Sequence, residues 1–461
     1  MKVIADPRHA LARGLSGIRA EFAVPEGFPP DVIAAAEAAA QRVPADHVDR
    51  SARPFVTLDP ASSTDLDQAF AIEASGGDLL LHYAIADVAW FVSDGDAIDV
   101  EAWRRGETLY LPDGKAGLYP PILSENAASL LPSGPRPAVV FTVRVDPAGA
   151  VRLDGVERAI IRSRAKLAYD SVTADRLPPA FDDLARRIQA AEAARGAVRV
   201  DPPEQEVVML PDGGFDLAFR PRLASEDANA ALSLATNMAV AALLQANSTG
   251  LFRVMAEPDE RAVAKLRLAA DALGISWPAE MTLEQLERRL DSAEPAQARL
   301  MLAIRRAGPG AAYAPFRAGI IPWHAAMAAT YAHATAPLRR LADRYVVQAA
   351  LDVANGRPPS ATVQQAFAKL PAVMARSGML SGRIERAVVD LAEAVLLSGE
   401  IGATFPAVAT EADDKGAKVQ LCALPVVARV TGTGIEPGAR LDLRLAAVDV
   451  PGRTVRFERA G

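Results

Sequence analysis

Cysteine is nearly absent from this sequence, because its 461 residues contain only Cys422. A single cysteine excludes an intramolecular disulfide and a zinc cluster built from several thiolates, and it is typical of a reducing compartment. The N-terminal segment "MKVIADPRHALARGLSG" lacks the apolar core of a signal peptide. No run reaches the roughly 18 consecutive apolar residues of a membrane-spanning helix. We therefore expect a monomeric cytoplasmic protein with neither a membrane partner nor a disulfide-linked partner.

A strong charge of either sign is also missing. The formal net charge is -7, from 57 acidic and 50 basic residues. This balance does not favour a nucleic-acid-binding protein, but it does not exclude one, because a basic groove can lie within an acidic protein. Half of the residues are apolar, and the chain is longer than one core usually holds. We therefore expect two or three well-packed domains.

The predicted secondary structure changes along the chain. Residues 1–50 form a short leader in which "PPDVIAAAEAAAQRV" is the one predicted helix. Residues 51–402 begin with strands and a hairpin and continue with helices, including a helical pattern over 96–110, which predicts a mixed α+β domain. Residues 403–461 contain five short predicted strands, which favour a small β-barrel of the oligonucleotide-binding (OB) type.

The most unusual stretch is "TLDPASSTDLDQAF", which places Asp59, Asp65 and Asp67 within nine residues between two predicted strands. Carboxylates this close repel one another unless a cation joins them. Magnesium prefers oxygen ligands, and two such ions can activate a water and stabilise the leaving oxygen of a phosphodiester. Aspartates also close Asx-turns, so a metal site and a simple turn both stay open on these residues alone.

This loop resembles the active-site motif of the ribonuclease II and ribonuclease R (RNB-domain) exoribonucleases. That motif has a strand, an Asp, five residues and then Asp-x-Asp-Asp-Ala, so the three aspartates match and Gln68 departs from the fourth acidic position. Four further segments match the family in its own order: "HYAIADVAWFV", "TLYLPDGKAGLYPPILSENAASLLP", "LFRVMAEPD" and "YAHATAPLRRLADRY".

The resemblance implies both a fold and an activity. It implies an RNB catalytic domain over residues 51–402, followed by a reduced S1-like barrel over 403–461, without the cold-shock barrels that precede the catalytic domain in long members. It also implies a magnesium-dependent enzyme, with Mn²⁺ as the alternative metal. Such an enzyme hydrolyses single-stranded RNA from its 3′ end to nucleoside 5′-monophosphates.

The resemblance further implies roles for single residues. Arg339 would face the scissile phosphate, because a guanidinium is always charged and can grip two phosphate oxygens. Tyr110 would stack on a base near the 3′ end, and such stacking is blind to base identity. Arg340 would contact a neighbouring phosphate or face solvent, and Glu385 would lie near the 3′-terminal nucleotide. The residues that would bind magnesium and position the water are Asp59, Asp65, Asp67 and Gln68.

Gln68 leaves two interpretations open. Its carbonyl oxygen could bind magnesium or a metal-bound water without adding a negative charge. Alternatively, the side chain could point outward and hydrogen-bond the backbone.

Two other functions compete with the exoribonuclease. One is a non-catalytic RNA-binding protein that kept the fold and lost its chemistry through Gln68. The presence of Asp67 and Arg339 argues against that interpretation, since a decayed site should lose them as well. The other is a phosphodiesterase for small nucleotides, in which the barrel would bind a protein.

Overall fold

The computed structural model describes residues 2–4, 9–197, 204–210, 214–220, 222–291, 294–308, 310–413, 415–436 and 438–460. A mixed seven-stranded sheet organises the first domain. The two edge strands run parallel to their neighbours and the other pairs are antiparallel. In spatial order the strands are Ser163–Ala168, Phe55–Asp59, Gln68–Ser75, Asp78–Ala86, Arg136–Val145, Val151–Ile161 and Val48–Asp49.

The main core lies on both faces of this sheet. The central strands Asp78–Ala86 and Arg136–Val145 are buried along most of their length, which is why they read as apolar runs and not as alternating patterns. Tyr83 and Phe141 are both fully buried there. The two predicted strands of the hairpin, Arg136–Val145 and Val151–Ile161, are confirmed.

Helices cover the sheet and extend beyond it. The helix Ala224–Ala246 is long and apolar enough to cross a membrane by length and composition alone, but 61% of its most apolar window is buried in the protein, as expected of a core helix. The α-helices are Ala10–Glu21, Pro30–Ala40, Val88–Phe91, Ala97–Arg105, Phe181–Arg195, Ala224–Ala246, Glu260–Ala272, Leu283–Glu287, Pro295–Ala307, Leu341–Ala354 and Ala361–Leu397. The part of the chain that the structure describes also contains one π-helical turn, Leu123–Ala127, and two 3₁₀ turns, Ala174–Arg176 and Ala325–Met327.

Smaller sheets surround the main one. One has four strands, Ala311–Pro315, Leu251–Met255, Trp323–His324 and Ala329–Thr330. Another has three strands, Lys2–Ile4, Phe215–Arg220 and Glu204–Met209. The strands Leu109–Leu111 and Gly114–Ala116 pair as a short hairpin.

The prediction of one helix in the leader was wrong, because Ala10–Glu21 is a second helix. Its side chains Leu11, Leu15 and Ile18 are fully buried and pack in a cluster with the long helix Ala361–Leu397. Gly14 lies against Leu391, so close that a Cβ would sit 2.5 Å from a leucine methyl carbon. Glycine lowers helix propensity, which hides this helix in the sequence, although the packing requires the glycine.

The helical pattern over 96–110 is correct only in its first part. The helix ends at Arg105, and Gly106 follows with a φ of 78°, a conformation that favours glycine. The remaining residues enter the hairpin that begins at Leu109. "LPDG" is a turn signal, and it marks this hairpin in the sequence.

The five predicted C-terminal strands are confirmed as an antiparallel, nearly closed barrel whose first and last strands in spatial order pack together. One buried carboxylate joins this barrel to the first domain. Glu393, on the long helix, accepts hydrogen bonds from the Val427 backbone N–H at 2.8 Å and from the Gln205 amide at 2.6 Å. The strands of the barrel in spatial order are Val427–Thr431, Gly416–Leu421, Thr404–Asp413, Arg440–Asp449 and Thr454–Arg459.

Replacing Glu393 by glutamine should stabilise the protein at alkaline pH. Burial raises the pKa of Glu393 from 4.5 to about 7, so the folded state holds a proton that the unfolded state releases, and stability falls as pH rises through that window. Glutamine imitates the protonated acid and keeps the accepting oxygen. We expect Glu393→Gln to raise the Tm at pH 8 by about 2 °C and to change it little at pH 5. The exposed Glu458→Gln serves as the control, and a lower Tm for Glu393→Gln at both pH values would contradict this role.

Candidate active site

The acidic loop, residues 60–67, connects two neighbouring strands of the main sheet. Asp59 ends the first strand, and Gln68 begins the second. The buried Leu66 anchors the loop, because its N–H donates to the Ser129 hydroxyl at 2.9 Å and its carbonyl accepts from the Leu130 N–H at 3.0 Å. The loop is therefore held in place by backbone contacts on the side that faces the core.

Asp67 joins this loop to a distant turn. It is only 6% exposed, and its Oδ1 accepts a 2.7 Å hydrogen bond from the Leu338 N–H, 271 residues later in the chain. Its Oδ2 lies 3.7 Å from the Nε of Arg339, whose side chain is 45% exposed. Burial raises the pKa of Asp67 to about 8, although the Arg339 charge and the Leu338 hydrogen bond both oppose that shift.

Asp59 has an oxygen without a partner. Within the described part of the chain, its buried Oδ2 makes no hydrogen bond. Burial raises the pKa of Asp59 to about 7, the charge of Asp65 adds to that rise, and the charges of Arg339 and Lys166 oppose it. Since the Arg339 charge acts on both Asp59 and Asp67, the three groups lie within electrostatic reach of one another.

Asp65 has different partners from Asp59 and Asp67. Its Oδ1 forms a 2.8 Å ion pair with Lys115, and its Oδ2 accepts a 3.2 Å hydrogen bond from the Tyr110 hydroxyl. Tyr110 and Lys115 are register partners in the short hairpin. Asp65 therefore anchors that hairpin to the acidic loop.

Tyr110 presents an exposed ring beside the site, with 51% of the residue accessible. The Thr108 N–H donates to the Arg339 carbonyl at 3.0 Å, so the hairpin lies next to the turn that carries Arg339. Lys115 is a site residue that sequence reasoning missed. The "LPDG" turn places Lys115 opposite Tyr110, and recognising that hairpin would have indicated it.

Arg340 is not the solvent-facing residue that the sequence allowed. Its Nε and one terminal nitrogen bind both carboxylate oxygens of the fully buried Asp343 at 2.9 and 2.7 Å, and Asp343 also accepts from the Ala336 N–H. The Arg340 side chain is only 17% exposed. This pair shapes the turn that carries Arg339, so the contacts favour a positioning role for Arg340 over direct phosphate binding.

Glu385 is exposed on the long helix, where its carboxylate accepts from the Ser381 hydroxyl at 3.1 Å. Its charge acts on Glu107, a second residue near the site that sequence reasoning missed. Burial raises the pKa of Glu107 and the charge of Glu385 raises it further, whereas Arg340 and Arg339 lower it. Glu107 forms an isolated β-bridge with Arg340 and so lies beside the turn that carries Arg339.

Gln68 directly follows the acidic loop and lines a cleft of about 1050 Å³. Its Oε1 accepts a 2.5 Å hydrogen bond from the hydroxyl of Tyr83. Tyr169, Asn229 and Tyr331 line the same cleft. The contact with Tyr83 corresponds to neither of the two interpretations that the sequence left open.

A divalent cation fits part of the predicted ligand set. In the described ranges, no group of three or more His, Cys, Asp or Glu side chains is arranged to hold a metal. Magnesium, however, is often bound by one or two carboxylates, with waters and substrate phosphates completing its shell. Asp59 and Asp67 suit that arrangement, because a cation would offset their burial and satisfy the unpartnered Oδ2 of Asp59.

Comparisons with known proteins place this geometry in a family. The RNB domain model matches residues 47–353, and the model of the RNase II-type exonuclease C-terminal S1 domain matches residues 403–460. Ribonuclease R of Aquifex aeolicus is 26% identical over 441 residues, which cover 89% of this chain and 61% of that protein. The chain spans about half the length of the curated relatives it matches.

Two solved structures share the fold. Mycoplasma genitalium RNase R, in complex with ribose-methylated single-stranded RNA, superposes with a TM-score of 0.86 at 20% identity and covers all of this chain and 79% of its own. Yeast Ssd1, described as a pseudonuclease, superposes with a TM-score of 0.70 at 16% identity over 96% of this chain and 59% of its own. The RNB domain model covers the main sheet, and the S1 domain model covers the terminal barrel. The chain therefore belongs to the RNB-domain family and carries the C-terminal S1 domain of RNase II-type exonucleases.

Proposed function

We propose that this chain is a magnesium-dependent exoribonuclease that degrades single-stranded RNA from the 3′ end. The observation that carries the proposal is the convergence of the buried Asp67, the unpartnered Oδ2 of Asp59 and the half-exposed Arg339 at one place. Named relatives support the same activity, since they include ribonuclease R. In the reaction, a water oxygen attacks the last phosphodiester phosphorus, and the bond to the 3′ oxygen of the preceding nucleotide breaks.

The carboxylates and the arginine have different roles in the reaction. Asp59 and Asp67 would hold a divalent cation, which, when bound, supplies water activation and stabilisation of the leaving oxygen. Arg339 donates N–H bonds to phosphate oxygens, because its guanidinium is exposed while Asp67 holds its turn in place. Burial of the two carboxylates strengthens every charge interaction at this point.

The hairpin supplies the contact with the bases. The exposed ring of Tyr110 offers a stacking face, and stacking is worth about 1–3 kcal/mol per base regardless of sequence. The hydrogen bond from its hydroxyl to Asp65 fixes the ring, and Lys115 neutralises Asp65. On this arrangement Asp65 orients the 3′ end through Tyr110 in addition to its contribution of charge to the site.

A catalytically impaired RNA-binding protein is the second candidate. Gln68 at the fourth acidic position favours it, and so does the structural likeness to a pseudonuclease. A 5′-labelled RNA incubated with magnesium distinguishes the candidates. A descending ladder supports the exoribonuclease, binding without shortening supports the impaired protein, and cleavage limited to dinucleotides supports a small-nucleotide phosphodiesterase.

Asp67→Asn should reduce cleavage by about 100-fold or more. The amide keeps an oxygen for the Leu338 N–H but removes the charge that would hold the cation. RNA affinity, measured by fluorescence anisotropy, should stay close to that of the wild type. Asp113→Asn is the matched control. Asp113 lies in the turn of the neighbouring hairpin, where it pairs with Arg19 of the helix Ala10–Glu21. Cleavage by Asp67→Asn within tenfold of the wild type would remove Asp67 from the catalytic machinery.

Arg339→Ala should lower the maximal cleavage rate by about 100-fold while changing RNA affinity much less. The reason is that phosphate charge develops most strongly in the transition state, where the guanidinium acts. Arg152→Ala, at a side chain that is 72% exposed and remote in the sheet, is the control. A variant that lost affinity but kept its maximal rate would show that Arg339 only binds RNA.

The magnesium requirement should depend on pH. Asp59 and Asp67, with pKa values raised to about 7 and about 8, carry protons that a cation must displace. We expect the half-saturating magnesium concentration to fall by about tenfold or more between pH 6 and pH 8. Calorimetry in buffers of different ionisation enthalpy would count the released protons. A half-saturation that is independent of pH, with no proton release, would show that both carboxylates are already ionised.

A further inference from the structure

The two ends of the Gln68 amide have different surroundings. Its Oε1 faces Tyr83, which is fully buried in the main sheet. Among the described residues, its Nε2 has no hydrogen-bond partner, and Gln68 lines the cleft with Tyr169 and Asn229. Which end of the amide faces the cleft decides whether Gln68 offers an acceptor or a donor there.

A backbone N–H orients Asn237, a second amide side chain close to the cleft. The Ala334 N–H can only donate, and it donates to the Oδ1 of Asn237 at 2.8 Å. The Nδ2 of Asn237 therefore points the other way and donates to the Ser233 hydroxyl at 3.4 Å. The Ser233 hydroxyl lies 2.9 Å from the Thr335 hydroxyl, and the Tyr83 hydroxyl donates to the Oε1 of Gln68.

The distance leads to the same assignment. The contact between the Tyr83 hydroxyl and Gln68 is 2.5 Å long. Bonds of the O–H···O kind extend down to about 2.5 Å, whereas N–H···O bonds lie at about 2.7–3.2 Å. The atom that meets Tyr83 is therefore the carbonyl oxygen, and the NH₂ group faces the cleft.

We propose that Gln68 donates hydrogen bonds to a phosphate group of the bound RNA and is not a metal ligand, with Tyr83 as its positioning residue. This inference rests on the proposed function. An amide N–H cannot ligate a cation, but it is suited to an anionic phosphate oxygen. The position that matches a metal-binding acid in the family pattern is, in this chain, part of the substrate site.

The charges around the site agree with this assignment. Asp65 is paired with Lys115, and the charge of Asp67 is opposed by Arg339. A fourth carboxylate at position 68 would place another negative charge beside an incoming phosphate. Glutamine removes that charge and adds two donors.

The test compares Gln68→Glu and Gln68→Met, two near-isosteric variants, with the wild type. RNA binding is measured in EDTA by the anisotropy of a fluorescein-labelled oligonucleotide, so that neither metal nor turnover enters the signal. Loss of a charge-assisted hydrogen bond should weaken binding by Gln68→Met by about tenfold. Gln68→Glu should be weaker still, because its carboxylate repels the phosphate. Circular dichroism checks that each variant is folded.

Magnesium titrations of cleavage separate the two roles of position 68. A donor role requires that Gln68→Glu raise the KM for RNA without lowering the half-saturating magnesium. A lower half-saturating magnesium in Gln68→Glu, with RNA binding in EDTA unchanged in both variants, would overturn the proposal and restore Gln68 as a metal ligand.

Tyr83→Phe tests the positioning residue. Without the Tyr83 hydroxyl the amide can rotate, so this variant should weaken RNA binding in the same direction as Gln68→Met, but by less. The double variant should bind no worse than Gln68→Met alone, and additive losses would contradict the coupling. A wild-type chain that neither binds nor shortens RNA would refute the proposed function. A wild type that shortens RNA while all three variants match it would refute only the role of Gln68.

Discussion

The hydrogen bond from the Leu338 backbone N–H to the buried carboxylate of Asp67 is the contact on which the candidate site depends. It joins a loop near the start of the sheet to a turn 271 residues later. A buried carboxylate is costly unless it is hydrogen-bonded or paired, and here one oxygen has the backbone donor while the other faces Arg339. This contact holds the acidic loop next to the turn that carries Arg339.

Other buried side chains keep that turn in shape by binding backbone groups. Asp343 accepts from Ala336 N–H and from Arg340, and Asn237 accepts from Ala334 N–H. Each contact satisfies a polar group that would otherwise be buried without a partner. These hydrogen bonds hold the backbone of the turn that carries Arg339, although the turn lies between regular elements.

The acidic residues in and next to the loop have different environments because their partners differ. Asp59 and Asp67 are buried and have pKa values raised to about 7 and about 8, although Arg339 lies 3.7 Å from Asp67. Asp65 has Lys115 at 2.8 Å and orients Tyr110. Gln68 is tied to Tyr83. Four positions that the resemblance groups together as ligands therefore have different surroundings: two buried carboxylates, one carboxylate bound to the hairpin and one amide bound to a tyrosine.

The sequence by itself determined the family, most strands of the main sheet, most helices of the first domain, and the five strands of the terminal barrel. It could do so because apolar periodicity and an ordered series of motifs are local properties. It also named Asp59, Asp67 and Arg339, whose residue types suit metal and phosphate chemistry. It did not predict the helix around Gly14, because a glycine required by close packing against Leu391 reads as a helix breaker.

Only the tertiary structure decided which partner each polar group meets. The pairing of Asp65 with Lys115, the burial of Arg340 against Asp343 and the orientation of Gln68 all depend on atoms from distant segments. Spacing in a sequence specifies which residues can act, but the partner of a buried carboxylate, guanidinium or amide is set by what packs beside it. For Gln68, that partner is the hydroxyl of Tyr83, which lies on the neighbouring strand of the main sheet.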